Sequence, residues 1–152
     1  MSHVIFYLLP DMATASGEGP DDLWNQNICR LATDYFRRGQ SVFILVTTQT
    51  HAEILDELLW QQDPDSFVPH ALSHEETAAQ APVEIGLGQP KRHRQVLINV
   101  QPEIPANAGR FGTIIDFVPA EDAAKQQARE RYKQYRAQGF TLETVQSVTP
   151  LN

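Results

Sequence analysis

The chain has 152 residues, 41% of them hydrophobic and 20% charged, and a formal net charge of −7. That length and balance predict one globular domain with a real hydrophobic core, and the acidity argues against sequence-blind DNA binding by the whole surface, which rests on neutralising phosphates. No window approaches 18 continuous apolar residues, and Cys29 is the only cysteine, so neither a membrane span, an internal disulfide nor a cysteine zinc site is expected.

The opening Met1 to Pro10 has no cationic region and too short an apolar run for a signal peptide, which points to the cytoplasm. Within it, Val4 to Leu9 reads as a buried strand. Pro10 to Pro20 is a loop rich in Gly, Ser and Asp. Asp21 or Asp22 is placed to cap a helix reaching about Arg38, with Leu23, Trp24, Ile28, Leu31, Tyr35 and Phe36 at helical spacing and Gly39 ending it. Val42 to Thr47 is a second apolar strand. Thr50 is the expected cap of a second helix, closed by Trp60 and the Asp63-Pro64-Asp65 breaker. Phe67 to His70 is brief and extended, and Ser73 to Pro82 reads as a surface loop. Val83 to Ile85, Val96 to Val100 and Thr113 to Val118 are further strands. A last helix runs from about Glu121 to Gln138 and stops at Gly139; residues 141–152 read as a loose tail after a single α/β domain of residues 1–140. Strands apolar on both faces, alternating with helices, predict a mostly parallel sheet with helices on both sides.

Gly17-Glu18-Gly19-Pro20 and Gly86-Leu87-Gly88 lack the spacing of a phosphate cradle, so no nucleotide-binding loop and no cofactor are expected. Asp11 and Asp116, at strand ends, are the one carboxylate pair that magnesium chemistry could use, but no third ligand stands out and loop aspartates are usually turn formers. The histidines His3, His51, His70, His74 and His93 show no ligand spacing and read as surface or loop residues; no metal site is expected. Cys29 packs as a small apolar side chain. Lys91-Arg92-His93-Arg94 could touch phosphate, which keeps a direct single-stranded nucleic-acid binder as the alternative reading, though such a run is more often a solvated turn. Trp60 and Phe67, on either side of the Asp-Pro-Asp turn, either close the core or form an aromatic hot spot for a protein partner.

The last helix carries the sharpest signal. At about 100° per residue, Lys125, Arg129, Tyr132, Lys133 and Arg136 fall on one face within roughly 100°. From Glu121 to Arg136 five basic residues outnumber three acidic ones, so this segment is +2 while the rest of the chain is −9. Ala124, Ala128 and Tyr135 are the inward residues. Four cations around one ring, beside apolar Val118, suit a peptide ending in an aromatic residue and a free carboxylate: Arg takes the carboxylate bidentately, Lys adds charge, and a pocket beside the ring takes the apolar end.

Leu58-Leu59-Trp60, Asp65-Ser66-Phe67-Val68-Pro69-His70, Ala81-Pro82-Val83-Glu84-Ile85, Asp116-Phe117-Val118-Pro119 and the Lys125 to Arg136 helix, with Ile5-Phe6-Tyr7-Leu8-Leu9 at the start, resemble the chi subunit of bacterial DNA polymerase III over essentially the whole chain. The resemblance implies a Rossmann-like α/β fold without nucleotide chemistry and a non-catalytic subunit. It implies one-to-one pairing with the psi subunit, which tethers chi to the clamp loader, through Trp60 and Phe67. It implies capture of the acidic C-terminal tail of single-stranded DNA-binding protein, whose last residue is Phe, by Val118, Lys125, Arg129, Tyr132, Lys133 and Arg136. A repair helicase at the psi surface is a further implied partner, and contact with DNA would be mostly indirect. Gln127 stands where the family helix often has an apolar residue, and residues 73–81 and 86–94 match only loosely.

Overall fold

The computed structural model describes residues 2–9, 23–61 and 68–145. Among them the strands are β1 (His3–Leu8), β2 (Val42–Leu45), β3 (His70–Leu72), β4 (Val83–Gly86), β5 (Val96–Asn99), β6 (Thr113–Val118) and β7 (Thr141–Val145). The helices are α1 (Leu23–Arg37), α2 (Gln49–Trp60) and α3 (Asp122–Ala137), and a 3-10 turn spans Ala108–Arg110. The seven strands make one sheet, ordered β3-β4-β2-β5-β6-β1-β7, with every neighbouring pair parallel. This is the α/β, Rossmann-like architecture that the sequence predicts.

The continuous apolar strands follow from burial on both faces. In β2, Val42 and Ile44 face α1 and α2, joining Ile28, Ala32, Leu55 and Leu59 in one core. Phe43 and Leu45 face the other way, into a second core with Phe6, Leu97, Ile114, Ala128 and Tyr135 beneath α3. Alternation along each strand therefore feeds two cores, and α3 lies on the opposite side of the sheet from α1 and α2.

Gly39 and Gly139 end their helices in the left-handed region, at φ 81° and 87°. The following amides bond back to the last turn, Gln40 N–H to Tyr35 O and Phe140 N–H to Tyr135 O, at 3.1 and 3.2 Å. This closure favours glycine because no β-carbon opposes the positive φ.

Two expectations are corrected. The cap of α2 is Thr48, whose hydroxyl accepts the His51 N–H at 3.1 Å, so Thr50 lies inside the helix. The segment read as the start of a loose tail is β7, an edge strand paired with β1 from His3–Thr141 to Tyr7–Val145. Its faces stay largely exposed, so it has no apolar run to announce it, but the His3 ring ties it through Thr141 Oγ1 at 2.7 Å and Glu143 Oε1 at 2.9 Å. The sheet thus extends past residue 140 to Val145. Asp11, the proposed caps Asp21 and Asp22, and residues 146–152 lie outside the described residues.

Candidate functional site

The placement of α3 begins with its inner face. Ala128 and Tyr135 are buried against the sheet. Arg131 is buried between them in projection, because it shares their side of the helix. Arg131 Nε lies 3.1 Å from both Asp116 oxygens and Nη2 lies 3.0 Å from Oδ1. Its remaining donors reach Pro102 O and Phe117 O, each at 3.1 Å. Asp116 also accepts from the Tyr135 hydroxyl at 2.9 Å, from Asn99 Nδ2 at 3.3 Å and from the Phe117 N–H at 2.7 Å. Burial pushes the Asp116 carboxyl above its ordinary value, opposed by the Arg131 charge and by the hydrogen bonds from Arg131, the Phe117 N–H and Tyr135. Burial, reinforced by the Asp116 charge, pushes the Tyr135 phenol up as well. With its lone pairs taken up by protein donors, Asp116 is a structural anchor and not the magnesium ligand weighed from the sequence.

That anchor fixes the rotation of α3 and sends the basic stripe outward. Arg129, Lys133 and Arg136 are exposed and Lys125 is half-buried. Lys133 Nζ lies 3.6 Å from Glu130 Oε1 in an exposed pair of little energetic weight. Tyr132 is half-buried, its ring 5.5 Å from Phe6 and inclined at 51°. Tyr132 and Val118 both pack at the margin of the core beneath α3. The structure therefore joins two of the six predicted residues, Val118 and Tyr132, through one apolar cluster, and sets the four cations on the outer face of the helix that carries Tyr132. Such a surface can hold an anionic chain by charge and take one apolar group beside the tyrosine.

Trp60 ends α2 with 58% of its surface exposed. Its ring meets the His70 imidazole edge-on at 5.1 Å. His70 is itself fixed, with Nδ1 2.7 Å from Val68 O and Nε2 3.1 Å from Asp56 Oδ1. Burial raises the Asp56 carboxyl and the His70 charge opposes it. Trp60 is thus an exposed aromatic on a rigid platform, and the core-closing role weighed for it is excluded. Phe67, its proposed companion, lies outside the described residues.

Other sequence readings change. Arg94 is no solvated turn residue: it is fully buried and ion-paired to the equally buried Glu84 at 3.0 Å. The Ser73 to Pro82 segment is tied down by it, since Ala78 O and Ala81 O accept from Arg94 and Ala79 O accepts from Arg92. His51 is buried in α2 with Nε2 2.6 Å from Asn25 Oδ1, and is not a surface residue. Cys29 is buried as expected. A cleft of about 720 Å³ opens at the carboxyl ends of the strands, where open α/β sheets commonly bind ligands; Thr48, His51, Asn99, Gln101, Gln127 and Arg131 are among its walls. Among the described residues no cluster of His, Cys, Asp and Glu could hold a metal, and no helix is long and apolar enough to cross a membrane.

Fold and site define an α/β domain whose outward chemistry is a basic helix face and an exposed aromatic. The family model described as DNA polymerase III chi subunit, HolC, matches residues 1–143. DNA polymerase III subunit chi of Haemophilus influenzae is 45% identical over 141 residues, 91% of this chain and 93% of that protein. The Escherichia coli subunit chi is 40% identical over 146 residues, covering 95% and 97%, and that of Pseudomonas aeruginosa is 34% identical over 144 residues, covering 94% and 95%. The chain belongs to the family of chi subunits of DNA polymerase III, accessory subunits in DNA replication. The fold alone is shared with a chain of the crystal structure of T4 UvsW, at TM-score 0.61 and 11% identity; the match covers 95% of this chain but 41% of that one.

Proposed function

We propose that this chain is a non-catalytic bridge in the cytoplasm, holding the acidic C-terminal tail of single-stranded DNA-binding protein on α3 and docking on the psi subunit around Trp60. One observation carries the tail reading. On a chain of net charge −7, α3 turns Arg129, Lys133 and Arg136 to solvent while Tyr132 and Val118 stand half-buried at one apolar margin. The cations attract the acidic residues and the terminal carboxylate, and the margin beside Tyr132 receives the terminal Phe. Lys125 and Arg136 extend the charged track along the helix. Because the contacts are charge-assisted and exposed, affinity falls with salt. Trp60 fits the psi contact, since an exposed aromatic on a rigid support loses little entropy when covered. Phe67, and a repair helicase at the same surface, belong to this proposal by family resemblance.

The test is fluorescence anisotropy with a labelled acidic peptide ending in Phe. Wild type binds saturably, Arg129→Ala costs about 1.5–3 kcal/mol of binding, the scale of hydrogen bonds to charged groups, and deleting the terminal Phe weakens binding of the wild type. A folded wild type that ignores the peptide removes the tail reading and leaves Trp60 as the docking site.

A further inference from the structure

Away from both surfaces, at the amino ends of the strands, a groove of about 260 Å³ is lined by Arg92, His93, Arg94 and Arg110 together with Gln89 and Asn107. A second groove of about 450 Å³ shares Arg92 and His93 and continues past Gln40, Ser41 and Gln95. No carboxylate lines either one among the described residues. On a protein with more acidic than basic residues, this is a local concentration of cations and amide donors.

The groove is built on a buried anchor. Glu84 sits fully buried in β4 and accepts Arg94 Nη2 at 3.0 Å, the Ser73 hydroxyl at 2.5 Å and the Lys91 N–H at 3.0 and 3.1 Å. Arg94 also donates to Ala78 O and Ala81 O, and its Nε, buried beside the groove, has no hydrogen-bond partner. The segment from Lys91 to Arg94 is therefore held from below. Arg92 Nε is fixed to Ala79 O at 2.7 Å, which aims the guanidinium while its other nitrogens remain available. Across the groove, Asn107 Nδ2 donates to Gln89 Oε1 at 3.1 Å, joining the two rims and positioning the turn that carries Arg110. Exposed Arg92 and Arg110 thus line one groove, Arg92 with its guanidinium already held at Nε.

We propose that these adjoining grooves bind the sugar–phosphate backbone of a single-stranded nucleic acid. The guanidinium groups would hold successive phosphates, and the amides of Gln89, Asn107, Gln95 and Gln40 would meet phosphate, sugar or base edges. Two exposed arginines along one groove match the charge of a single strand, whereas a duplex needs a broad basic surface. Phe36, half-buried in the wall of the second groove, offers one ring for a base to stack on. The family's place in a DNA polymerase supplies the strand. The site is independent of the tail reading.

The test is anisotropy with a fluorescein-labelled oligothymidylate of about 12 nucleotides, within the range of single-strand site sizes. The proteins are wild type, Arg92→Gln/Arg110→Gln and Arg129→Ala, each verified as folded by thermal melting. Wild type binds weakly at low salt and loses affinity as salt rises; the double variant loses roughly tenfold and flattens the salt slope by about 1.4, the yield of two phosphate contacts on a single strand. Arg129→Ala keeps oligonucleotide binding, and the double variant keeps binding of the acidic peptide. Loss with Arg129→Ala instead, no binding by wild type, or binding by the double variant equal to wild type would each overturn the proposal.

Discussion

Arg131 forks the Asp116 carboxylate from across the interface between α3 and β6, Nε 3.1 Å from both oxygens, with both side chains buried. One pair thereby sets how α3 is rotated on the sheet. Because Arg131 points in, residues on the opposite side of the helix point out, and those are Arg129, Lys133 and Arg136. The functional face is exposed as a consequence of a buried charge pair, and the two arginines, two residues apart, have opposite roles.

Arg131→Ala is expected to destabilise the fold by about 3–5 kcal/mol, because it leaves a buried carboxylate without its cation. Combining Arg131→Met with Asp116→Leu recovers only part of that loss: no buried charge remains to desolvate, but the Tyr135 hydroxyl and the Asn99 amide lose their shared acceptor. Arg129→Ala stays within about 0.5 kcal/mol of wild type, as a surface change should. Urea unfolding of the variants checks all three. A single Arg131→Ala that unfolds like wild type would show that the pair does not hold the helix.

Much of this was legible in the sequence. β1, β2, β4, β5 and β6 are marked by apolar runs and the ends of α1 and α3 by Gly39 and Gly139, because local chemistry sets both; the three-residue β3 is too short to carry such a run. The outward stripe of α3 follows from helical period alone. The same arithmetic puts Arg131 with Ala128 and Tyr135, so its burial was visible, but its partner was not: Asp116 meets it only through tertiary packing. The burial of Arg94 is hidden because the polar run Lys91-Arg92-His93-Arg94 looks solvated. The signal was Glu84, a carboxylate between Val83 and Ile85 in a strand with no exposed face, which requires a buried cation somewhere. β7 was missed because an exposed edge strand needs no apolar pattern. Phe67 lies outside the described residues, so only the Trp60 half of the proposed psi surface has a geometry.

Trp60→Ala separates docking from folding. With more than half of its surface exposed, its loss is expected to change stability by under about 1 kcal/mol, chiefly through the His70 ring contact. Binding of psi, followed by size-exclusion chromatography and titration calorimetry, falls by about 2 kcal/mol or more, as for a hot-spot aromatic. Unchanged psi binding would move the docking surface elsewhere.

Cys29 gives a pH signature. Burial pushes its thiol from 9.0 to about 12, with Sγ 3.9 Å from Leu55 O. A folded-state value above the unfolded one means that the stability it contributes is whole below about pH 9 and lost as pH rises from there toward about 12, with a slope of up to about 1.4 kcal/mol per pH unit. Burial also raises the phenols of Tyr7, Tyr35 and Tyr135, which act in the same direction. Native protein should resist a thiol-specific reagent near pH 8 and react fully in urea. Cys29→Ala should flatten the alkaline fall in urea-measured stability without abolishing it. A thiol that reacts at once in the native state would contradict its burial.

Tyr132 tests whether ring or hydroxyl matters on the basic face. Its ring packs on Phe6 while its outer part stays exposed, so Tyr132→Phe keeps the apolar margin and should retain both stability and peptide affinity to within about 0.5 kcal/mol. Tyr132→Ala removes the wall beside which the terminal Phe is proposed to seat, as well as the support under Phe6. The expected cost is about 1–2 kcal/mol in stability, below the 3–5 kcal/mol typical of a fully buried ring because this one is half-exposed. Peptide affinity should drop by at least about tenfold, equivalent to 1.4 kcal/mol. Anisotropy and urea unfolding on the same samples separate the two losses. If Tyr132→Phe weakens binding as much as Tyr132→Ala, the hydroxyl and not the apolar ring makes the contact, and the peptide's terminal Phe must seat elsewhere along α3.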